Sequence, residues 1–399
     1  MRGNTQHILS GPSTAINFAQ LEISFICPSS DRLGQISAYC KQLGTETLVV
    51  KMNQIKMKRL ALATFVAVAL SGTNGAASAA DAPTPPSIDV LLKRLGYNEE
   101  DKAALLSGKI ITTDLKKTRD DQLIAAVAME LNAPIATLAE NTRKGLNIER
   151  DQDVIAFGKL TDKGGTDEFG KARYTEKDGD EIKRLIDVKA DGTFNLSEAE
   201  MKALSEALSG VKAGDSSAAD KTSEAYQAVL AGRHQAYLEK GLDGIANYEA
   251  GAKLVPAEQL RAVYDQAKPF LDEFFPGLGK ALGEFPNGQS PDISSDFYWM
   301  KRDVEGRPAF ILAHQMVQSS EDYVLLTQRQ YFVGHTYQSL QVVAVALPTE
   351  KGSAVFYANS AYTDKITGFF SGVAQSVGQT RTKEDLTKYF EGVSKSHQE

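Results

Sequence analysis

The stretch FYWMKRDVEGRPAFILAHQMV, Phe297 to Val317, consists of two runs rich in aromatic and β-branched residues around Glu-Gly-Arg-Pro. Such residues suit a pleated, half-buried surface, and glycine in a short polar break suits a tight reversal, so the stretch reads as a β-hairpin. Three further runs follow at close spacing: YVLLTQRQYFV (323–333), LQVVAVALP (340–348) and SAVFYANSAY (353–362). Consecutive strands joined by short breaks pair antiparallel, because parallel neighbours need long crossovers. The fold class that follows is α+β.

Downstream, Asp364 to Val393 is expected to be one long helix. Its first apolar stripe is Ile366, Phe369, Phe370, Val373 and Val377, and its second is Leu386, Tyr389, Phe390 and Val393. Gly368, Gly372 and Gly378 lie along it, where glycine weakens a helix and allows a neighbouring surface to come close. Upstream, 88–107 reads as short helices broken at Gly96, 109–115 as a strand, 122–131 as a strand, 134–144 as a helix opened by Pro134, and 153–160 as a weaker strand. From 176 to 285 the pattern turns helical. Tyr226, Val229, Leu230, Tyr237 and Leu238 share one face there, a second helix opens at Pro256, and Pro276-Gly277 is expected to stop it. The small, polar stretch 209–219 links the parts of this block. The organisation is therefore an α+β domain of 88–175 and 286–399 with a mainly helical insertion, 176–285.

An antiparallel sheet packed on a long C-terminal helix, with an early strand–helix unit upstream, resembles the helix-grip arrangement of START and polyketide-cyclase-like proteins. That resemblance implies a curved sheet around an apolar cavity beneath the last helix. The stretches DFYWMKRD, TQRQYFVGHTY and VFYANSAYTDKITGF resemble those of uncharacterised exported bacterial proteins, which implies export and no particular activity.

Near the beginning, MKRLALATFVAVALSGTNGAASAA (57–80) has a basic start, an apolar run from Leu60 to Leu70 and a small-residue exit at Ala77-Ser78-Ala79. This is the order of a cleavable secretory signal, with cleavage expected after Ala79 and a periplasmic or secreted product. Its apolar run is shorter than the roughly 20 residues that span a bilayer. Residues 1–56 are read as a leader or as sequence upstream of the true initiator, Met52 or Met57, and 80–87 as a Pro-rich leader. Cys27 and Cys40 both precede the cleavage point, so disulfide and thiolate chemistry are not expected in the product. The whole chain carries a net charge of −7. Removing 1–79 takes away more basic than acidic residues, an acidity that disfavours nucleic acid and anionic membrane surfaces as partners.

DVKADGTFNLSE (187–198) has the outline of a twelve-residue calcium loop, but Lys189 stands where an oxygen ligand belongs. The same residues make a turn at Asp191-Gly192 and a helix start, with Ser197 and Glu200 as a capping box and Leu196 and Met201 as a staple. The helix start is the preferred reading. Glu99 to Asp101 and Asp178 to Glu181 read as solvated charges at helix starts. No metal site is expected: His314 and His335 lie in or beside adjacent strands, but no H-x-x-x-H spacing accompanies them. No nucleophile elbow, P-loop or dinucleotide fingerprint occurs, so no cofactor is expected.

In 323–335, strict alternation puts Tyr323, Leu325, Thr327, Arg329, Tyr331, Val333 and His335 on one face, and Val324, Leu326, Gln328, Gln330 and Phe332 on the other. If the first set faces inward, Arg329 is a buried cation that must find an anion, internal or a ligand's. If it faces outward, Arg329 is a solvated strand residue. The inward reading gives a candidate ligand site of Arg329, Tyr331, His314 and His335 with Phe369 and Phe370 from the last helix. Its ligand would be a small amphipathic or lipid-like molecule. An enzyme using the same cavity, or an interaction module built on the helical block, are the alternatives.

Overall fold

The computed structural model describes residues 84–143, 146–149, 151–250, 253–367 and 371–395. The expected signal at 57–79, the sequence before it, residues 80–83 of the Pro-rich leader, and Phe369 and Phe370 lie outside these residues.

Ser87 accepts a hydrogen bond from the Val90 N–H and opens α1 (Ile88–Leu95). Gly96, at φ 84°, ends it in the left-handed conformation that glycine adopts without penalty. Asn98 and Asp101 form a capping box at the start of α2 (Glu99–Leu106). Then come β1 (Ile111–Asp114), β2 (Gln122–Leu131), α3 (Ile135–Arg143), the short α4 (Leu146–Glu149) and β3 (Val154–Leu160). Nearly every residue of β2 is buried, which explains its unbroken apolar run: both of its faces are covered.

The helical block comprises α5 (Gly179–Ile186), α6 (Glu198–Ala207), α7 (Ala218–Lys240), α8 (Pro256–Phe274) and α9 (Pro276–Gly283). A two-residue pair, β4 (Tyr248–Glu249) and β5 (Lys253–Leu254), precedes α8. Pro276 does not simply stop the chain's helical run. It occupies the first turn of α9, where its missing N–H costs nothing.

The sheet then continues through β6 (Ser294–Val304), β7 (Arg307–Ser319), β8 (Val324–Val333), β9 (Ser339–Thr349) and β10 (Gly352–Tyr362), followed by α10 (Ser371–Lys395). Glu305 and Gly306 both have positive φ (57° and 79°), the backbone of a tight two-residue hairpin turn. All eight long-sheet strands are antiparallel, in the order β1-β2-β10-β9-β8-β7-β6-β3. The α+β class and the antiparallel meander are thus as the sequence suggests.

Both faces of the sheet are covered. On one, Leu386 and Phe390 of α10 and Leu138 of α3 join Val127, Val342 and Tyr357 in a core. Gly378 brings α10 close to β2, since a Cβ there would lie 3.1 Å from Leu123. Of the first expected stripe, Ile366 is buried in a 3-10 turn (Asp364–Ile366) ahead of the helix, whereas Val373 and Val377 are 47% and 37% exposed. On the opposite face, α5, α6 and α7 pack on Trp299, Phe310 and Phe332. Beside them, α1, α2, α8 and α9 pack on Met316, Leu325, Val345 and Phe356.

One irregularity changes the alternation in β8. Leu312 faces Phe332 across the ladder but Ala313 faces Gln330, so Tyr331 is an extra, bulged residue. A bulge re-aims the side chains beyond it. Phe332 therefore joins the core of Tyr331, and Val333 passes to the core under α10.

Candidate functional site

The structure settles the direction of Arg329: it is 1% exposed and points away from α10, under the helical block. The expectation that it shares a chamber with the last helix is corrected by this placement. Arg329 Nη1 donates to the Tyr237 hydroxyl at 3.3 Å, Nη2 to the Leu282 carbonyl at 3.4 Å and Nε to Gln341 Oε1 at 3.2 Å. All three acceptors are neutral, and among the described residues no carboxylate pairs with this arginine.

Tyr331 and His314 do join Arg329. The Tyr331 ring stacks on Tyr237 with centroids 4.0 Å apart, and its hydroxyl meets His234 Nδ1 at 2.8 Å. His314 Nδ1 lies 2.9 Å from the Tyr237 hydroxyl and Nε2 lies 2.7 Å from Ser295 Oγ. The Ser295–His314 contact has the reach of a nucleophile–base pair. Its electrostatics oppose that role: burial, and then the Arg329 cation, hold the His314 imidazole well below its ordinary pKa. A catalytic triad places an anion behind the histidine to favour imidazolium, whereas here a cation lies behind it. The cluster is a polar pin through the core, fastening α7 to β7 and β8.

His335 does not belong to this cluster. It touches Thr336 Oγ1 and the Pro308 carbonyl, six residues along β7 from His314, about 20 Å away at the rise of a strand. Beside it, Glu181 Oε1 lies 3.8 Å from His335 Nε2. Glu181 is 1% exposed, accepts two hydrogen bonds from Arg307 at 2.7 and 3.1 Å, and accepts one from Arg184 at 3.1 Å. The sequence reading of Asp178 to Glu181 as solvated charge is therefore corrected. Asp178 is also engaged, with buried Lys301 at 2.6 Å.

The loop 187–198 is built as a turn and a helix start. Gly192 has φ 78°, Asp191 Oδ1 accepts from the Thr193 N–H, and Ser197 and Glu200 form a capping box. Leu196 and Met201 are both buried in the core beneath it. Among the described residues no three His, Cys, Asp or Glu side chains group as metal ligands.

A cavity of about 370 Å³ lies between α8, α1 and the sheet. That is within the range of small-molecule sites, ~300–1,000 Å³. Its floor is Ile124, Val343, Val345, Phe356 and Ala358, from β2, β9 and β10. Val263, Ala267 and Phe270 of α8 and Leu91 and Leu95 of α1 wall it. Its polar lining is largely engaged elsewhere. Gln266 Nε2 donates to the Lys116 carbonyl at 2.7 Å, and its Oε1 accepts from Gln122 at 3.1 Å. Ser360 Oγ accepts from Gln122 at 2.8 Å. Gln341 accepts from Arg329 and donates to Thr327 Oγ1 at 2.9 Å. Two cations border the cavity, Arg94 and Lys116. Arg94 is paired with Glu273 and lies over Phe270 and Phe274. Lys116 is exposed and has no carboxylate partner among the described residues.

None of the sequence candidates lines this cavity except through Gln341, the neighbour of Arg329. The signal in the sequence was the alternation of small and large residues in VFYANS, with Ala358 leaving room beside Phe356. No protein-family model matches the chain, and neither a curated protein nor a solved structure is detectably similar to it.

Proposed function

We propose that this chain is a non-enzymatic binding protein that takes a small, mainly apolar molecule into the cavity between α8, α1 and the sheet. The observation that carries the reading is the cavity itself: an apolar floor of five side chains from three strands, beside which Gln266, Gln341 and Ser360 are already hydrogen-bonded. Burying an apolar ligand surface there is favourable by roughly 25 cal/mol per Å². The Leu60–Leu70 run with its basic flank and Ala-rich exit supports an exported, periplasmic or secreted location, and the acidic balance supports a ligand other than nucleic acid. The order of meander and C-terminal helix supports kinship with helix-grip proteins, although the cavity lies on the sheet face away from that helix. No described helix is long and apolar enough to cross a membrane.

Organic extraction of the purified protein followed by mass spectrometry tests the reading, together with 1-anilinonaphthalene-8-sulfonate fluorescence. Ala358→Phe, which fills the floor, should abolish both the recovered molecule and the dye enhancement. A wild-type protein that yields no molecule and does not enhance the dye would refute the proposal.

A further inference from the structure

We infer that the ligand is an amphiphile with an anionic head, held with its tail against Ile124, Val343 and Phe356 and its head at Lys116. This rests on the cavity being a binding site and adds the chemistry of what binds.

Two features of the lining select this class. The first is hydrogen-bonding saturation. Gln266 uses both ends of its amide, Ser360 accepts from Gln122, and Gln341 is held by Arg329, Thr327 and the Gln328 carbonyl. Asn359, whose side-chain amide has no hydrogen-bond partner among the described residues, also borders the cavity, but it alternates with Ala358 and Ser360 along β10 and so shares the α10 face with Tyr357 and Ala361. A sugar or another polyol would lose its water partners and find few groups to replace them, a cost that disfavours such ligands. An alkyl or aryl body loses nothing by entering.

The second feature is charge at the border. Arg94 is already compensated by Glu273, and its guanidinium lies over two phenylalanine rings. Lys116 is not compensated: its ammonium is exposed and has no carboxylate partner among the described residues, while its backbone carbonyl is tied to Gln266 of α8. The tie fixes the root of the side chain at the cavity, and the four-carbon stem leaves the charge free to meet a head group in water. A carboxylate, sulfate or phosphate monoester head satisfies this geometry equally. Because the contact is solvated, it discriminates modestly, and most of the affinity comes from the tail.

Titration calorimetry with dodecanoate, dodecyl sulfate, dodecanol and dodecylammonium, each below its micellar concentration, tests the inference. The two anions should bind about threefold or more tighter than the alcohol. Raising the salt should narrow that margin, because the contact is exposed. Lys116→Glu should weaken the anions about tenfold and leave the alcohol unchanged. Ala358→Phe and Ala267→Phe, checked for unchanged circular dichroism, should block all four. If all four bind alike and Lys116→Glu changes nothing, the anionic-head inference is overturned while the cavity remains a binding site. If none binds, or if both blocking variants bind as the wild type does, the binding reading itself falls.

Discussion

Glu181→Gln tests whether the helical block is fastened to the sheet by buried charge. Glu181 is 1% exposed and receives two hydrogen bonds from Arg307, at 2.7 and 3.1 Å, and one from Arg184. Arg307 begins β7 and Glu181 lies in α5, so the pair joins the block to the hairpin turn. Hydrogen bonds to charged groups contribute about 1.5–3 kcal/mol each, and removing one partner of a buried pair costs ~3–5 kcal/mol. The glutamine keeps one acceptor oxygen, and both arginines reach solvent, with Arg307 26% and Arg184 43% exposed. Stranded charge is therefore partly hydrated, and about 2 kcal/mol is expected for Glu181→Gln. Glu181→Ala, which removes both acceptors, should cost about 4 kcal/mol on the same scale. Urea unfolding followed by Trp299 fluorescence measures this, with melting expected to fall by roughly 2–4 °C per kcal/mol. Asp180→Asn, at an exposed neighbouring position, should stay within about 0.5 kcal/mol. A Glu181→Gln loss below that control level would show that the buried carboxylate contributes nothing net, and the fastening argument would fail.

Stability should also fall in mild acid. Burial lowers the folded-state pKa of His234, His314 and His335, so the folded protein refuses protons that the unfolded chain accepts. Their contribution is complete above the unfolded value of about 6.5 and is lost as the pH falls from there toward the folded values. Within that window the slope should reach up to about 4 kcal/mol per pH unit if all three titrate, and a flat melting temperature between pH 7.5 and 5 would contradict it. Gly158→Ala should cost ~1–3 kcal/mol, because its Cβ would sit 2.5 Å from the Trp299 indole nitrogen; Trp299 emission should shift with it. Ser197→Ala should cost about 1 kcal/mol through loss of the α6 cap, read by thermal melting. Added calcium should leave the wild-type melting temperature where it is, and a specific rise would reinstate 187–198 as a metal loop.

The sheet was legible because its signal is local: β-branched and aromatic runs bounded by turn residues place β6 to β10 without any knowledge of neighbours. Helix starts were legible for the same reason, as Ser197 and Pro256 show. The direction of Arg329 was not legible, because alternation offers two equivalent faces and only the tertiary covering distinguishes them. Tyr331 shows a second limit. A bulge is a property of two strands together, so the shift that sends Val333 to the other face leaves no mark in either strand alone. Glu181 shows a third: at a helix start it reads as a dipole charge, and only the arrival of Arg307, 126 residues later, makes it a buried ion pair. The cavity escaped for the same reason, since its walls come from α1, β2, α8, β9 and β10 at once.

The neighbour of β2 in the sheet has a consequence for the order in which the chain can fold. Gln122 to Leu131 pair with Tyr362 to Ser353, and Val154 to Leu160 pair with β6 across the whole helical block. Pairings of such separation close slowly, because long loops lose entropy before any contact rewards them. During synthesis, therefore, QLIAAVAMEL emerges more than two hundred residues before β10, its partner in the long ladder. With only the four residues of β1 at its other side, this sticky stretch, whose single charge is Glu130, must wait. The vulnerable moment for this protein is that interval, when a chaperone, or slow delivery of the chain, decides between a completed sheet and aggregation.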